Sequence, residues 1–358
     1  MSWLDPAPFL RGVGWRDGDR VIRADPADLT RLPWDIAERA ALPIGVRLEF
    51  VSDDAYALEI RYRAGVPEPG DPLSELAHGF ALWEDERHLG DTFGEPARER
   101  SVRIELPASA GPFTVHLPEA HAPVILGLRP VGGTVAPAPA RPRWVVHGDS
   151  ITEGWWSTRP AHSWPAVAGR ALGLDTVNLG YAGAARGELV TAAQVAALPA
   201  DLLTLAFGTN CWSEVPYSAP LLYETVRAFL ALVREGHPAT PLLLLSPVLR
   251  PAAEHTRNAL GATLAELRTA MEEAVRDSVA AGDERLLLLP GRGLLRAEHL
   301  VDGLHPDDSG HVLMAEAVTA ALRGTRTVPP SVVPAGRLVP VRPGGSPATG
   351  PHGCPRTG

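Results

Sequence analysis

Four short polar motifs between residues 148 and 306 each follow or adjoin an apolar run. They are Gly148-Asp-Ser-Ile-Thr152, Asn178-Leu-Gly180, Gly208-Thr-Asn210 and Asp302-Gly-Leu-His-Pro306. A serine hydroxyl can act as a nucleophile when a base lies within hydrogen-bond reach and a further group orients that base. We therefore expect Ser150 to be a nucleophile, His305 its base and Asp302 the carboxylate that orients the imidazole.

The same motifs offer donors for the negative charge that develops on an attacked carbonyl oxygen. The expected oxyanion hole consists of the Ser150 and Gly180 backbone N–H groups and the Asn210 side-chain amide. Thr152 breaks the G-x-S-x-G nucleophile elbow, and the sequence has no other such motif, so an α/β-hydrolase arrangement is not expected. Each residue also has a structural interpretation, since serine caps helices while glycine and asparagine form turns.

A histidine- and aspartate-rich segment keeps a metal site open as an alternative. Its members are His299, Asp302, His305, Asp307, Asp308 and His311. The Asp302–His305 pair already has a role, and Asp307 or Asp308 fits the N-cap of the last helix, so we expect no metal and no cofactor. Cys211, beside Asn210, is interpreted as a small buried apolar residue rather than a nucleophile.

Tryptophans are concentrated around the motifs. Five of the nine lie between residues 144 and 212. Core packing explains Trp144 and Trp164, whereas Trp155, Trp156 and Trp212 stand beside the motif loops. Those three are candidates for the wall of an acyl or aromatic pocket that excludes water.

Composition excludes several chemistries. All 33 basic residues are arginine, so no Schiff-base, pyridoxal-phosphate or P-loop lysine exists in this sequence. A net charge of −9 without an arginine-rich block disfavours nucleic-acid binding. No apolar run approaches the roughly 18 residues of a membrane span, and the N-terminus does not resemble a secretion signal. We expect a cytoplasmic protein that binds neither nucleic acid nor membranes.

The first part of the 358-residue chain is rich in short β-type runs separated by proline and glycine. The predicted strands are Val46–Val51, Tyr56–Tyr62, Val102–Leu106, Phe113–Leu117 and Val124–Leu128. This spacing, with no convincing helix, is typical of an antiparallel β-sandwich, which we expect over residues 1–130. The proline- and alanine-rich residues 131–142 are expected to form a linker.

From residue 143 onward, apolar runs alternate with helical periodicity. The predicted strands are Trp144–His147, Thr176–Leu179, Leu202–Phe207, Leu242–Leu245 and Leu286–Leu289, with helices between them and a last helix ending near Arg323. The alternation predicts an α/β domain over residues 143–324, with a parallel five-stranded, flavodoxin-like sheet covered by helices on both faces. Residues 325–358 are expected to be a disordered tail.

The four motifs, in this order, resemble the blocks of the SGNH/GDSL hydrolase family. Further segments, Trp164-Pro-Ala-Val-Ala168 and Gly236-His-Pro-Ala-Thr-Pro241, are similar to a bacterial subgroup with an N-terminal β-sandwich. One departure is Cys211, where many members have aspartate after the block asparagine. The resemblance implies a serine esterase or O-acyltransferase without cofactor.

The resemblance also implies a small-molecule acyl donor, either an ester or an acyl-CoA thioester, and water or an alcohol as acceptor. Sandwich-bearing members include secreted carbohydrate esterases and cytoplasmic enzymes that acylate polyketides. The absence of a secretion signal disfavours the secreted carbohydrate O-acetylesterase. From a different class, the chain could be a non-catalytic ligand-binding module on a hydrolase scaffold, although every catalytic block is retained. The oligomeric state stays open.

Overall fold

The N-terminal half of the protein consists of antiparallel β-sheets. The computed structural model describes residues 2–65, 78–213 and 215–323, so the tail predicted for 325–358 lies outside the described residues. The strands of this half are β1 (Leu10–Arg11), β2 (Trp15–Asp17), β3 (Arg20–Ile22), β4 (Arg47–Asp53), β5 (Ala57–Ala64), β6 (Gly79–Glu84), β7 (Arg87–Phe93), β8 (Ala97–Glu105), β9 (Phe113–His116), β10 (Val124–Val131) and β11 (Thr134–Pro137).

Two of these sheets face each other across an apolar core. One has the order β1-β4-β9-β6-β7, with β11 also paired to β4, and the other has the order β10-β5-β8. Alternate residues of each strand point inward, among them Phe50 on β4 and Ile60 on β5, and both belong to one buried cluster. The rings of Phe50 and Phe113 lie 5.5 Å apart. The predicted antiparallel sandwich is confirmed.

Strands β1, β2, β3 and β6 are absent from the predicted set, and three further features are not predicted by the sequence. Strand β7 is partly exposed along most of its length, so it lacks the apolar alternation that marks a strand. The segment predicted as a linker contributes β11, in which Ala136 pairs with Val51. A helix, α1, spans Trp34–Ala40, and its seven residues are too few to display helical periodicity.

The second half is built around a parallel sheet with helices. Its strands are β12 (Arg143–Gly148), β13 (Asp175–Gly180), β14 (Leu202–Ala206), β15 (Leu242–Leu245) and β16 (Leu286–Leu289). Its helices are α2 (Ser150–Glu153), α3 (Trp164–Leu172), α4 (Leu189–Ala197), α5 (Ala219–Gly236), α6 (Pro251–Glu254), α7 (Leu264–Ala280) and α8 (Asp308–Arg323). All five predicted strands are present, because runs that are apolar on both faces fit a sheet covered on both sides.

The order of the parallel strands fixes where side chains can meet. The order is β13-β12-β14-β15-β16, so the connections from β12 leave in one direction and those from β14 in the other. Ligands of such sheets bind where this direction changes, beyond the carboxyl ends of the strands. Ser150 follows β12 and Asn210 follows β14, which brings both motifs to that edge. No helix within the described ranges is long and apolar enough to cross a membrane.

The two halves share a core. Leu32, Ile36 and Ala40, which lie on or just before α1, belong to the same buried cluster as Val145 on β12 and Val177 on β13. The segment between β3 and β4 therefore packs on the parallel sheet rather than between the sandwich sheets. Residues 1–130 are not a structurally separate unit, because part of them completes the core of the second half.

The shared core predicts the effect of truncating Ile36. Because its side chain is fully buried, Ile36→Ala should lower the free energy of unfolding by about 2–5 kcal/mol, measured by urea denaturation. Val279→Ala is a matched control, since Val279 is 42% exposed and its truncation should change stability by less than about 0.5 kcal/mol. Equal stability of the two variants would contradict the packing of α1 on this sheet.

Candidate active site

Ser150 is the first residue of the short helix α2, directly beyond β12. Asp149 is the N-cap of this helix and accepts a hydrogen bond from the Ile151 N–H at 3.0 Å. The turn requires glycine at position 148, because a Cβ there would lie 2.2 Å from Thr152 Oγ1 and 2.3 Å from the Ala206 carbonyl oxygen. The Ser150 hydroxyl is therefore placed at the carboxyl edge of the sheet by the end of β12, by Gly148 and by the Asp149 cap.

His305 and Asp302 reach Ser150 from the loop before α8. The Ser150 Oγ lies 2.8 Å from His305 Nε2, and His305 Nδ1 lies 2.7 Å from Asp302 Oδ2. The other carboxylate oxygen, Oδ1, accepts the backbone N–H groups of Leu304 at 3.0 Å and His305 at 2.8 Å. The three-residue spacing of Asp302 and His305 thus closes a local turn that fixes the imidazole ring. The structure brings the three predicted side chains together in the expected order.

The two aspartates near the serine differ in their electrostatics. Burial acts to raise the pKa of Asp302, but the hydrogen bonds and the nearby imidazole of His305 outweigh it and lower that pKa to about 2. Asp149 is buried and forms no ion pair with any residue that the structure describes, and this burial raises its pKa to about 7 against the effect of its backbone hydrogen bonds. Asp302 therefore keeps its negative charge over the whole neutral range.

Two of the three predicted tryptophans contact the Asp302–His305 pair. The Trp155 ring lies 5.3 Å from the His305 ring, and the Trp156 Nε1–H donates to Asp302 Oδ2 at 3.0 Å. Trp212 is directed elsewhere: its Nε1–H donates to the Thr256 carbonyl oxygen, and the guanidinium of Arg250 lies 4.8 Å from its ring. Trp155 and Trp156 therefore cover the His305 imidazole and the Asp302 carboxylate, whereas Trp212 lies in the neighbouring Asn210 loop.

The expected oxyanion donors are only partly available. The Gly180 N–H already donates to Asn178 Oδ1 at 2.8 Å, so the prediction of Gly180 as an oxyanion donor needs correction. Gly180 has a packing role instead, since a Cβ there would lie 2.3 Å from the Glu153 nitrogen on α2. The Asn210 amide donates one hydrogen to the Ala184 carbonyl oxygen at 2.6 Å, which leaves its second hydrogen for another acceptor.

Gly183 is not among the site residues predicted from the sequence. It lies in the loop after β13 with a φ of +71°, and an added Cβ would meet no atom within 4 Å. The next residue, Ala184, accepts the Asn210 amide, so Gly183 and Asn210 are neighbours. The signal available in the sequence is a second glycine three residues after Gly180, but spacing alone does not show which N–H is occupied.

The alternative metal cluster does not assemble. His311 accepts from the Trp164 N–H and contacts the Trp155 carbonyl oxygen, while Asp308 binds Thr158 and His162. Within residues 2–65, 78–213 and 215–323, no three histidine, cysteine or acidic side chains are grouped so that they could hold a metal ion. Cys211 is fully buried, and burial raises the pKa of its thiol, which disfavours a thiolate nucleophile.

Glu153, one turn after Ser150, connects this site to the N-terminal half. Its buried carboxylate pairs with Arg39 and lies 3.5 Å from Arg23 Nη2. The carboxylate also accepts the Ala182 N–H at 2.9 Å and the Trp155 Nε1–H at 3.2 Å. One side chain therefore fixes helix α2, the loop after β13 and the indole that packs on the imidazole.

The charge of Glu153 is maintained by its partners. Burial acts to raise its pKa, but the Arg39 and Arg23 guanidinium groups outweigh that effect, so the pKa lies below its usual value. Arg23 is itself buried and donates to the Gly180 and Leu42 carbonyl oxygens, while the Tyr181 hydroxyl donates to the Arg23 carbonyl oxygen at 2.6 Å. The network crosses from the N-terminal half to the strand that carries Gly180.

Fold and site together define the class of protein. A five-stranded parallel sheet in this order, with these motifs at its carboxyl edge, is the SGNH hydrolase fold. Residues 146–313 match the model of the GDSL-like lipase/acylhydrolase family, and the resemblance inferred from the motifs is confirmed. A search of curated proteins finds no match.

Solved structures extend the similarity to both halves. The salicylyl-acyltransferase SsfX3 from a tetracycline biosynthetic pathway is 26% identical, with a TM-score of 0.77 over 89% of this chain and 95% of that chain. A GDSL-like lipase from Bacteroides ovatus is 20% identical, with a TM-score of 0.73 over 90% and 97%. A family two carbohydrate esterase from Clostridium thermocellum is 18% identical, with a TM-score of 0.60 over 78% and 91%. The latter two show the fold alone.

The Glu153 network predicts a large effect of neutralising this one carboxylate. Glu153→Gln keeps an oxygen for Ala182 or Trp155 but removes the charge that faces the buried Arg23 guanidinium, and breaking a buried pair typically costs about 3–5 kcal/mol. The free energy of unfolding, from urea denaturation, is the measurement. Glu224→Gln is the control, because Glu224 and Arg227 form an exposed pair, and its stability should stay unchanged. Similar losses in both variants would contradict the role of the network.

Proposed function

We propose that the protein transfers acyl groups from small-molecule esters or thioesters through a covalent acyl-enzyme on Ser150. The observation that carries this proposal is the unbroken series of short contacts from Ser150 Oγ to His305 Nε2 and from His305 Nδ1 to Asp302 Oδ2. A hydroxyl, an imidazole and a carboxylate in that order form the arrangement that activates a serine.

In the first step, Ser150 Oγ attacks the carbonyl carbon while its proton passes to His305 Nε2. The imidazolium that forms is stabilised by Asp302, whose low pKa keeps it negatively charged. The new tetrahedral centre then collapses, and His305 returns the proton to the leaving oxygen or sulfur. The product of this half-reaction is an ester between Ser150 and the acyl group.

The negative charge on the tetrahedral oxygen needs donors that are not already engaged. The Ser150 N–H makes no hydrogen bond to other residues in the described ranges, and Asn210 has one amide hydrogen left. The third donor is assigned to the Gly183 N–H, in place of Gly180, because it is next to the residue that holds Asn210. Loss of one such donor typically lowers turnover by about 10²–10³-fold.

In the second half-reaction, water or an alcohol attacks the acyl-enzyme with His305 as base. Water gives an esterase, and a bound alcohol gives an O-acyltransferase. Transfer requires that the acceptor be positioned and that water be excluded near the acyl group. Trp155 and Trp156 form an apolar cover beside His305 and Asp302, which favours a sheltered acyl group, and the similarity to a salicylyl-acyltransferase agrees with this assignment.

Two other functions use the same fold. A carbohydrate O-acetylesterase would share the mechanism and differ only in the alcohol released, and a non-catalytic binding module would not need a serine in contact with an imidazole. A panel of nitrophenyl esters, acetylated sugars and acyl-CoA thioesters separates the three functions when each is assayed with and without added alcohols. Products containing the added alcohol identify a transferase, free acid alone an esterase, and no turnover of any donor the binding module.

Replacement of the nucleophile provides the most direct check. Ser150→Ala should remain folded and lose at least about 10³-fold in turnover, because the oxyanion donors and binding alone leave only residual catalysis. A fluorophosphonate should modify the wild-type protein at Ser150, as identified by peptide mass spectrometry. Modification at Cys211, or wild-type turnover by Ser150→Ala, would reject the assignment.

The base and its carboxylate should differ in their effects. The proposed reaction requires a neutral imidazole, because a protonated imidazole cannot accept the Ser150 proton. His305→Ala should approach the defect of Ser150→Ala, and Asp302→Asn should be slow but milder. Since the pKa of Asp302 is about 2, this carboxylate should stay ionised between about pH 5 and pH 8, so its own protonation should not change turnover in that range. Full activity of a folded Asp302→Asn protein would require another orienting residue.

A further inference from the structure

A cleft of about 530 Å³ lies next to the loop that follows β13. Its walls come from both halves of the chain: Pro33, Trp34, Asp35, Glu38 and Arg39 on one side, and Ala182, Gly183, Arg186 and Val215 on the other. The volume is within the range of pockets that hold small organic ligands, roughly 300–1,000 Å³. Of the residues given a role in the proposed reaction, Gly183 lines this cleft, whereas Ser150, His305, Asp302 and Asn210 do not.

The apolar surface of the cleft is unusually open to solvent. Trp34 is 78% exposed and Val215 is 48% exposed, and both lie on its walls. Tryptophan carries a large apolar area and is favoured at binding sites, where a flat ring can stack on it. An indole left uncovered on a wall of a cleft is a ready stacking surface.

The wall that carries Trp34 is held rigidly. Next to it, Asp35 pairs with Arg186 across the cleft at 2.7 Å, and Arg186 also pairs with Glu188 at 3.2 Å. Ile36 is buried in the core of the second half, and Arg39 pairs with the buried Glu153. The indole therefore sits on a fixed helix.

The positive charges of the cleft are already compensated, which bears on the kind of ligand that it can bind. Both arginines on its walls have carboxylate partners, so they do not offer a free cationic site for phosphate or carboxylate groups. The features left for recognition are the indole of Trp34, the apolar Val215 side chain and the Glu38 carboxylate, which disfavours an anionic ligand. These suit an uncharged, flat aromatic group.

The cleft is adjacent to the proposed reaction site on two sides. Gly183, on its wall, precedes the residue that accepts the Asn210 amide. Arg39, on the same wall as Trp34, lies over the Trp155 ring at 5.8 Å, and Trp155 in turn packs on His305. The cleft therefore lies close enough to the proposed reaction site for one molecule to extend from Ser150 into it.

We propose that this cleft binds a flat aromatic portion of the substrate, with Trp34 as its stacking residue. The proposal rests on the proposed acyl transfer at Ser150, and it makes the N-terminal half a determinant of substrate choice. The aromatic group can belong to the acyl part or to the alcohol part of the ester, and kinetics with matched esters distinguishes the two.

Binding can be measured without any reaction. We expect 2-naphthol, followed by isothermal titration calorimetry, to bind the Ser150→Ala protein and to bind the Trp34→Ala, Ser150→Ala protein about tenfold more weakly. Trp34→Phe in the same background should restore most of the affinity, because phenylalanine keeps a stacking face. Phe93→Ala in the same background is the matched control, since Phe93 is an aromatic residue that is 58% exposed and lies outside the cleft. The affinity of this variant for 2-naphthol should be unchanged.

Kinetics then identifies which part of the ester the cleft holds. Trp34→Ala should raise KM about tenfold for 2-naphthyl acetate if the alcohol part binds there, or for ethyl 2-naphthoate if the acyl part does. Hydrolysis of ethyl acetate, which has no ring, should be unaffected in either case.

Three results would overturn the proposal: equal 2-naphthol affinity with and without Trp34, unchanged KM for both aromatic esters, or a Trp34-dependent dimer in sedimentation experiments that buries the indole. These differ from a failure of the proposed function. That failure would be hydrolysis of ethyl acetate by Ser150→Ala at the wild-type rate.

Discussion

A single buried carboxylate joins the two halves of this protein directly beside Ser150. Glu153 is shielded from solvent, so its charge requires partners within contact distance, and two arginines from the N-terminal half supply them. The remaining capacity of its oxygens is used by the Ala182 N–H and the Trp155 indole. Because Glu153 is on the same short helix as Ser150, the arginines cannot move without disturbing the residues around Ser150.

The N-terminal half is part of the same packed structure as the site and is not an independent appendage. A sandwich joined through a flexible linker could be removed without effect on the second half, but here β11 occupies the expected linker and α1 completes the second core. Further ion pairs bridge the halves, including Arg159 with Asp91 at 2.7 Å and Arg47 with Asp175 at 3.1 Å. The N-terminal half is thus structurally continuous with the site, which makes a role in substrate selection physically reasonable.

The sequence predicts those features that depend on local pattern or on general topology. Parallel strands bring their carboxyl ends to one edge, so the motifs with Ser150 and His305 could be expected to meet. Ion pairs between residues that are far apart in the sequence leave no such pattern. Glu153 and Arg23, for example, are separated by 130 residues. The occupied N–H of Gly180 could not be foreseen either, because it depends on the rotamer of Asn178. Short or half-exposed elements such as α1 and β7 lack a periodic signal.

In the proposed reaction a positive charge develops on His305 and a negative charge on the tetrahedral oxygen near Ser150. The two aspartates of the site differ in pKa in a way that suits both charges. Asp302 must remain anionic beside an imidazolium, and its hydrogen bonds keep its pKa near 2. Asp149 is adjacent to Ser150, where a second negative charge would oppose the oxygen that becomes charged in the tetrahedral state. Burial raises the pKa of Asp149 to about 7, so the neutral form is accessible near neutral pH and still accepts the Ile151 N–H that caps α2. The two residues are of the same type, and their different surroundings give them different roles. Asp302 stays charged and stabilises a positive imidazolium, whereas Asp149 can be neutral and caps helix α2.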